Sequence, residues 1–199
     1  GARDAALPVR VNMESLIDYM LVIFYTGNID APVSKFLNNQ KANNFYAIRN
    51  RVAADRGFMF FAHDSEHTLF AVGASPHLGM DENRVSIGDP GGATNGDGNP
   101  DDSYRMQVTE LSRFQPQWLH HRLAENTDYR TRFAARATQL LEGTGVLTPA
   151  AGTRRMLARA MEIETAVVAE SARWGDANVE PARTRDEDWQ PAIDDIVDN

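Results

Sequence analysis

Apolar residues recur at helical spacing in four stretches of this chain and gather into short strand-like runs in one other region. The first helical stripe is Leu16, Ile17, Met20, Leu21 and Phe24. With Asn12 placed to cap it and Gly27 placed to end it, the pattern predicts a helix from Met13 to about Tyr25. A second stretch, Pro116 to about Glu125, carries Trp118, Leu119, Arg122 and Leu123. A third, with Thr127 as its expected cap, carries Tyr129, Phe133, Ala137, Leu140 and Leu141 before Gly143. Thr148-Pro149 opens the longest, in which Met156, Leu157, Ala160, Ile163, Val167 and Val168 share a face and which stops near Trp174-Gly175. These stripes read as core and carry no cofactor role. The tail from Asp176, broken by Pro181 and Pro191, reads as an extended segment packed through Trp189.

The strand-like region is Asn43-Asn44-Phe45-Tyr46-Ala47-Ile48-Arg49, a polar connection from Asn50 to Arg56, and Gly57-Phe58-Met59-Phe60-Phe61-Ala62-His63-Asp64-Ser65-Glu66-His67. Two short aromatic runs joined by a polar turn predict an antiparallel hairpin. In such a pair the start of the first strand lies beside the end of the second, so Asn44 and Asp64 are expected to meet at its open end. An amide oxygen and a carboxylate held together suit a hard cation such as Mg²⁺, which takes oxygen ligands and keeps several waters. Glu66, two residues beyond Asp64, joins them if the strand continues. The plainer reading makes Asn44 a turn cap and Asp64 a surface carboxylate. Asp30 follows the first helix in Gly27-Asn28-Ile29-Asp30-Ala31-Pro32, on a loop held by a buried scaffold, where either a catalytic acid or a turn aspartate can sit. From Val33 to Ala42 the chain reads as an irregular polar connection.

The 199 residues suffice for a real core, and together these elements predict an α+β class that is mainly α. A formal net charge of -8 excludes general nucleic-acid binding, which needs a basic surface. With no cysteine in the chain, disulfides, thiolate catalysis and cysteine-bound zinc are excluded together. The longest apolar run, Leu16 to Tyr25, is interrupted by Asp18 and too short to span a bilayer. The abrupt start at Gly1 suggests a fragment boundary.

Between about Ser75 and Asp102 lies a polar loop in which Asn95, Asp97 and Asn99 alternate as calcium-loop ligands would. Pro100 stands where that loop needs glycine and Met106 where it needs glutamate, so it reads as a surface insertion. No Gly-Lys-Ser/Thr follows its glycines, so it is not a phosphate-binding P-loop either. His120 and His121 read as interhelix or surface residues.

Two chemistries compete for His63-Asp64-Ser65-Glu66-His67. As His-x-x-Glu-His on a helix, it would set two histidines on one face, as in inverzincin-type zinc peptidases. On a strand the same residues split between faces. The ordered set Ile17-Asp18-Tyr19-Met20, Phe24-Tyr25-Thr26-Gly27-Asn28-Ile29-Asp30, Asn43-Asn44-Phe45-Tyr46-Ala47-Ile48-Arg49 and Phe60-Phe61-Ala62-His63-Asp64-Ser65-Glu66-His67-Thr68-Leu69 resembles the C-terminal part of the spore-coat protein H (CotH) kinase family. Ala169 to Asp176, with Thr184-Arg185-Asp186, looks like the end of bacterial members that carry other extracellular modules.

The resemblance implies an atypical protein-kinase-like C-lobe with a small hairpin and a C-terminal helical bundle. It implies transfer of phosphoryl from Mg²⁺-ATP to Ser or Thr hydroxyls of a protein, at the cell surface or outside the cell. By that resemblance Asp30 is the catalytic aspartate, and Asn44 and Asp64 hold the metal and nucleotide. Glu66, a further candidate metal ligand, stands where many relatives have a second aspartate, and His63 where many have tryptophan. The implied organisation is residues 1–74 as the hairpin-bearing catalytic segment, 75–112 as the loop insertion, and 113–199 as helices and tail of the same domain. No lysine for the phosphates is found, since Lys35 and Lys41 lie in the polar connection. The N-terminal lobe is therefore an expected partner from the same parent chain, and the fragment is expected to be weak or inactive alone. The alternative from another class is a non-catalytic helical interaction module.

Overall fold

A computed structural model describes residues 7–37, 41–52, 54–69, 83–85 and 115–198 of the chain. Its residues fall into two compact units, Gly1–Ala137 and Thr138–Asn199. The described part is mainly helical, with one two-stranded antiparallel sheet.

In the first unit, α1 spans Met13–Thr26. Asn12 caps it by accepting the Ser15 N–H at 2.9 Å, and Gly27 ends it in the left-handed region at φ 58°. The N–H groups of Gly27 and Asn28 return to the carbonyls of Phe24 and Ile23, the paired closure that lets a chain leave a helix sharply. Leu16, Tyr19, Met20 and Ile23 form the buried cluster with Ala31 and Phe60.

The hairpin pairs β1 (Phe45–Ile48) with β2 (Met59–Ala62) in the register Phe45↔Ala62, Tyr46↔Phe61, Ala47↔Phe60, Ile48↔Met59. One face carries the buried Phe60 toward the cluster. The other leaves Tyr46, Ile48, Met59 and Phe61 exposed. The Ser15 hydroxyl accepts the Phe60 N–H at 2.9 Å and so ties β2 to the first turn of α1. Arg10 and Asn12 exchange main-chain bonds with Phe58 just before β2. That approach requires glycine at position 57: its φ is 69°, and a Cβ there would lie 2.7 Å from the Val11 main chain.

Helix α2 (Pro116–Ala124) packs on α1, and α3 (Thr127–Leu141) follows. The expected cap Thr127 is already the first helical residue. Asn126 does the capping, its side-chain oxygen accepting the N–H of Asp128 at 2.8 Å and of Tyr129 at 3.3 Å. Asn126 shifts the start by one residue because its oxygen reaches the second and third helical amides.

In the second unit, α4 spans Pro149–Trp174 as expected from Thr148-Pro149. The tail is not extended. A π-helical turn, Arg185–Trp189, opens at Thr184 and leads into α5 (Gln190–Asp198), and both pack on α4. Pro191 lies inside the helical run that opens at Arg185, where the π-helical turn gives way to α5.

Most of the loop insertion read from the sequence, including Asn95 to Asp102, lies outside the described residues. Of its described part, Arg84 contradicts a surface reading: it is 1% exposed, its guanidinium donates to the Val33 carbonyl, and its own carbonyl accepts from Gln117 Nε2. No described helix is long and apolar enough to cross a membrane.

Candidate functional site

The closure of α1 at Gly27 throws the chain into a short buried loop, and Asp30 sits on it at 8% exposure. The loop is held from several sides. Asn28 Oδ1 accepts the Asp30 N–H at 2.9 Å, the Ile29 N–H donates to the His67 carbonyl at 3.2 Å, and the Lys35 N–H returns to the Ile29 carbonyl at 2.8 Å. Beyond it a 3₁₀ turn covers Lys35–Leu37, and Val33 pairs with Ala42, so the polar connection is partly ordered. The Asn43 N–H donates to the Pro32 carbonyl at 3.0 Å, setting Asn43 and Asn44 directly over Asp30.

The Asp30 carboxylate accepts from three side chains. Ser34 Oγ and Asn43 Nδ2 donate to Oδ1, the latter at 3.1 Å, and Asn44 Nδ2 donates to Oδ2 at 2.8 Å. The same Asn44 amide reaches the Asp64 carbonyl at 3.4 Å, and the His63 N–H closes the end of the hairpin onto the Asn44 carbonyl at 3.3 Å. Asn44 and Asp64 both have left-handed backbones, φ 48° and 51°. Asn and Asp tolerate that region better than other non-glycine residues.

The strand therefore ends at Ala62, and the chain turns at Asp64 instead of continuing. Asp64 is exposed. The expectation that Glu66 shares its face fails for that reason: Glu66 is exposed and lies 3.4 Å from His67 Nε2. His63 to His67 form no helix, so the geometry that a zinc peptidase needs is not made. Their rings pack on different partners, His63 against Tyr46 and His67 against Phe36, each 4.8 Å between centroids. Among the described residues no three His, Asp or Glu side chains gather as a metal-binding group.

Of the residues singled out from sequence, Asn44 thus links the Asp30 carboxylate to the main-chain carbonyl of Asp64 at the open end of the hairpin, while the Asp64 carboxylate is exposed. Ser34 and Asn43 were missed. The Asn43-Asn44 doublet was a visible signal, since two adjacent amides can reach both oxygens of one carboxylate. Ser34 had none, because only the folding of the loop brings it under Asp30.

His120 is buried between α2 and α3, with Nδ1 2.9 Å from the Tyr129 hydroxyl. Burial, aided by His121, pulls its pKa down from 6.5 to about 4, so it is neutral at ordinary pH. It acts as an interhelix residue. Comparison of the chain with protein-family models, with curated proteins and with solved structures gives no match.

Proposed function

We propose that this chain is the acid-bearing and metal-bearing part of a CotH-like, kinase-like phosphotransferase that moves the terminal phosphoryl group of ATP to a protein hydroxyl. One observation carries the reading: a single amide, that of Asn44, bonds to the Asp30 carboxylate and to the Asp64 main chain at once. Phosphoryl transfer is mainly positioning and charge stabilisation, and this contact couples the acid to the expected metal-binding turn.

The donor set fits Mg²⁺ in its chemistry. The NH₂ of Asn44 is engaged by Asp30 and Asp64, which leaves its Oδ1 as an acceptor. Asp64 supplies an exposed carboxylate. One amide oxygen and one carboxylate are what an ion that keeps its waters and binds substrate phosphates asks of a protein. Asn44 and Asp64 would hold the ion, and its charge would offset that of the phosphate oxygens.

Asp30 orients the acceptor hydroxyl. The hydroxyl oxygen bonds to the γ-phosphorus, the bond from that phosphorus to the β–γ bridging oxygen breaks, its electron pair leaves with ADP, and the hydroxyl proton passes to Asp30. Next to this end, the outward face of the hairpin offers Tyr46 and Phe61 as a directly opposed aromatic pair, an apolar platform suited to a purine. The reading requires further sequence to cover the nucleotide and grip its phosphates.

The test has two arms. Mn²⁺ binding to this chain, followed by electron paramagnetic resonance, is expected to weaken at least about tenfold in Asp64→Ala and Asn44→Ala. In the full natural protein that contains the chain, Asp64→Ala is expected to lower phosphoryl transfer about a thousandfold. Unchanged autophosphorylation would eliminate the reading.

A second reading, a helical interaction module without catalysis, is favoured by one feature: α4 leaves Leu157, Met161, Val168 and Trp174 exposed. It predicts that Asp64→Ala is silent in both arms while changes on α4 are not.

A further inference from the structure

Holding a metal does not require the arrangement around Asp30. Its Oδ1 accepts from both Ser34 Oγ and Asn43 Nδ2, while Oδ2 accepts, among the described residues, from Asn44 alone. A carboxylate oxygen has two lone pairs, so among the described residues Oδ1 is saturated and Oδ2 has one lone pair left. The two oxygens of one acid have been made different.

The asymmetry originates in Ser34. It is completely buried, its N–H is fixed to the Lys41 carbonyl at 3.1 Å, and its hydroxyl donates to Asp30. The neighbouring Val33 carbonyl is itself held by the buried Arg84 guanidinium. The hydroxyl is therefore presented from a backbone anchored on both sides. A buried donor in such a place keeps its acceptor in one orientation, because turning away would leave a buried polar group unmade.

The geometry points to Ser34 as a positioning residue for phosphoryl transfer. With Asn43 it fixes Oδ1 of Asp30, so that the open lone pair of Oδ2 is the one that meets the acceptor hydroxyl. This rests on the phosphotransferase reading and goes beyond it by naming the reacting oxygen and what aims it. Ser34 acts through Asp30 and touches neither metal nor nucleotide, so its removal should disturb turnover and leave binding intact.

The experiment uses Ser34→Ala and, as a second variant at a less buried position, Asn43→Ala. In the metal-free chain the side-chain amide resonances of Asn44 report its bond to Oδ2. They are expected to shift clearly in both variants as the carboxylate loses a restraint. Mn²⁺ affinity is expected to stay within about twofold, in contrast to Asp64→Ala. In the full natural protein kcat is expected to fall about 10- to 100-fold with KM for ATP within about twofold, the pattern of a misaimed group.

If a folded Ser34→Ala or Asn43→Ala protein shows unmoved Asn44 resonances and unchanged kcat while the wild type transfers phosphoryl, the positioning role is overturned and the phosphotransferase reading stands. A Mn²⁺ affinity that falls as far as in Asp64→Ala would make Ser34 part of the metal site and also overturn the role. A wild-type protein that neither binds Mn²⁺ nor transfers phosphoryl overturns the reading and this inference with it.

Discussion

Helices α1 and α4 make opposite use of their length. The 14 residues of α1 bury Leu16, Ile17, Tyr19, Met20, Leu21 and Ile23, whereas the 26 residues of α4 bury only Ala151 and Ala160. A helix buried along most of its length cannot move without opening the core, so the loop leaving its C-terminus is fixed in space. Asp30 lies on that loop, and the strand bonded to the first turn of α1 leads to Asp64. A helix such as α4, with Met161 at 77% exposure, gives no comparable anchorage. The lesson is that the candidate acid, Asp30, sits on the loop leaving the most deeply buried helix, and that helix length is a poor guide to it.

The contrast is sharpest in the cores. Truncating Leu16, which is 0% exposed in the cluster beneath the loop, by Leu16→Ala is expected to cost about 2–5 kcal/mol. Urea denaturation would measure it, and the side-chain amide resonances of Asn44 are expected to shift in parallel as the Asp30 loop loses its support. A loss in stability with unmoved Asn44 resonances would break the link drawn here between burial and site.

The next effect is pH. His120 is neutral in the folded chain because burial, with His121, lowers its pKa to about 4 from 6.5. Between those values the unfolded chain binds a proton that the folded chain does not, so stability falls as pH drops from 6.5 toward 4 and is flat above. The full loss is on the order of 3 kcal/mol. Urea melts across this range should show it, and His120→Phe should flatten the slope.

Removing the cap of α1 by Asn12→Ala is expected to cost about 1 kcal/mol, since the Ser15 N–H loses its acceptor. The smallest effect belongs to α4: Met161→Gln should change the melting free energy by no more than about 0.5 kcal/mol. A larger cost there would mean that α4 is packed more tightly than its exposure indicates, and would remove the contrast.

Much of the secondary structure was legible because it depends on local signals. Asn12, Gly27, Thr148-Pro149 and the aromatic runs around the polar turn act within a few residues, and the helices and hairpin formed where they pointed. The reading erred in taking the α4 stripe as core, since Leu157, Ile163 and Val168 are exposed, and where local signals competed. Thr127 was expected as the cap that the adjacent Asn126 provides, and the prolines of the tail looked like breakers although Pro191 lies within a helical run.

Asp30, Asn44 and the turn at Asp64 could be nominated from sequence, because hairpin pairing fixes which ends meet whatever the side chains do. Sequence alone thus determined that Asn44 and Asp64 lie together and that Asp30 follows a buried helix. Only tertiary structure decided that Asn44 turns its amide onto Asp30, that the backbone reverses at Asp64 and leaves Glu66 aside, and that Ser34 and Arg84 lie buried beside the loop. The physical reason is range. Pairing and capping are set by neighbours along the chain, whereas the burial of a hydroxyl or a guanidinium depends on segments far apart in sequence closing over it, which no local pattern records.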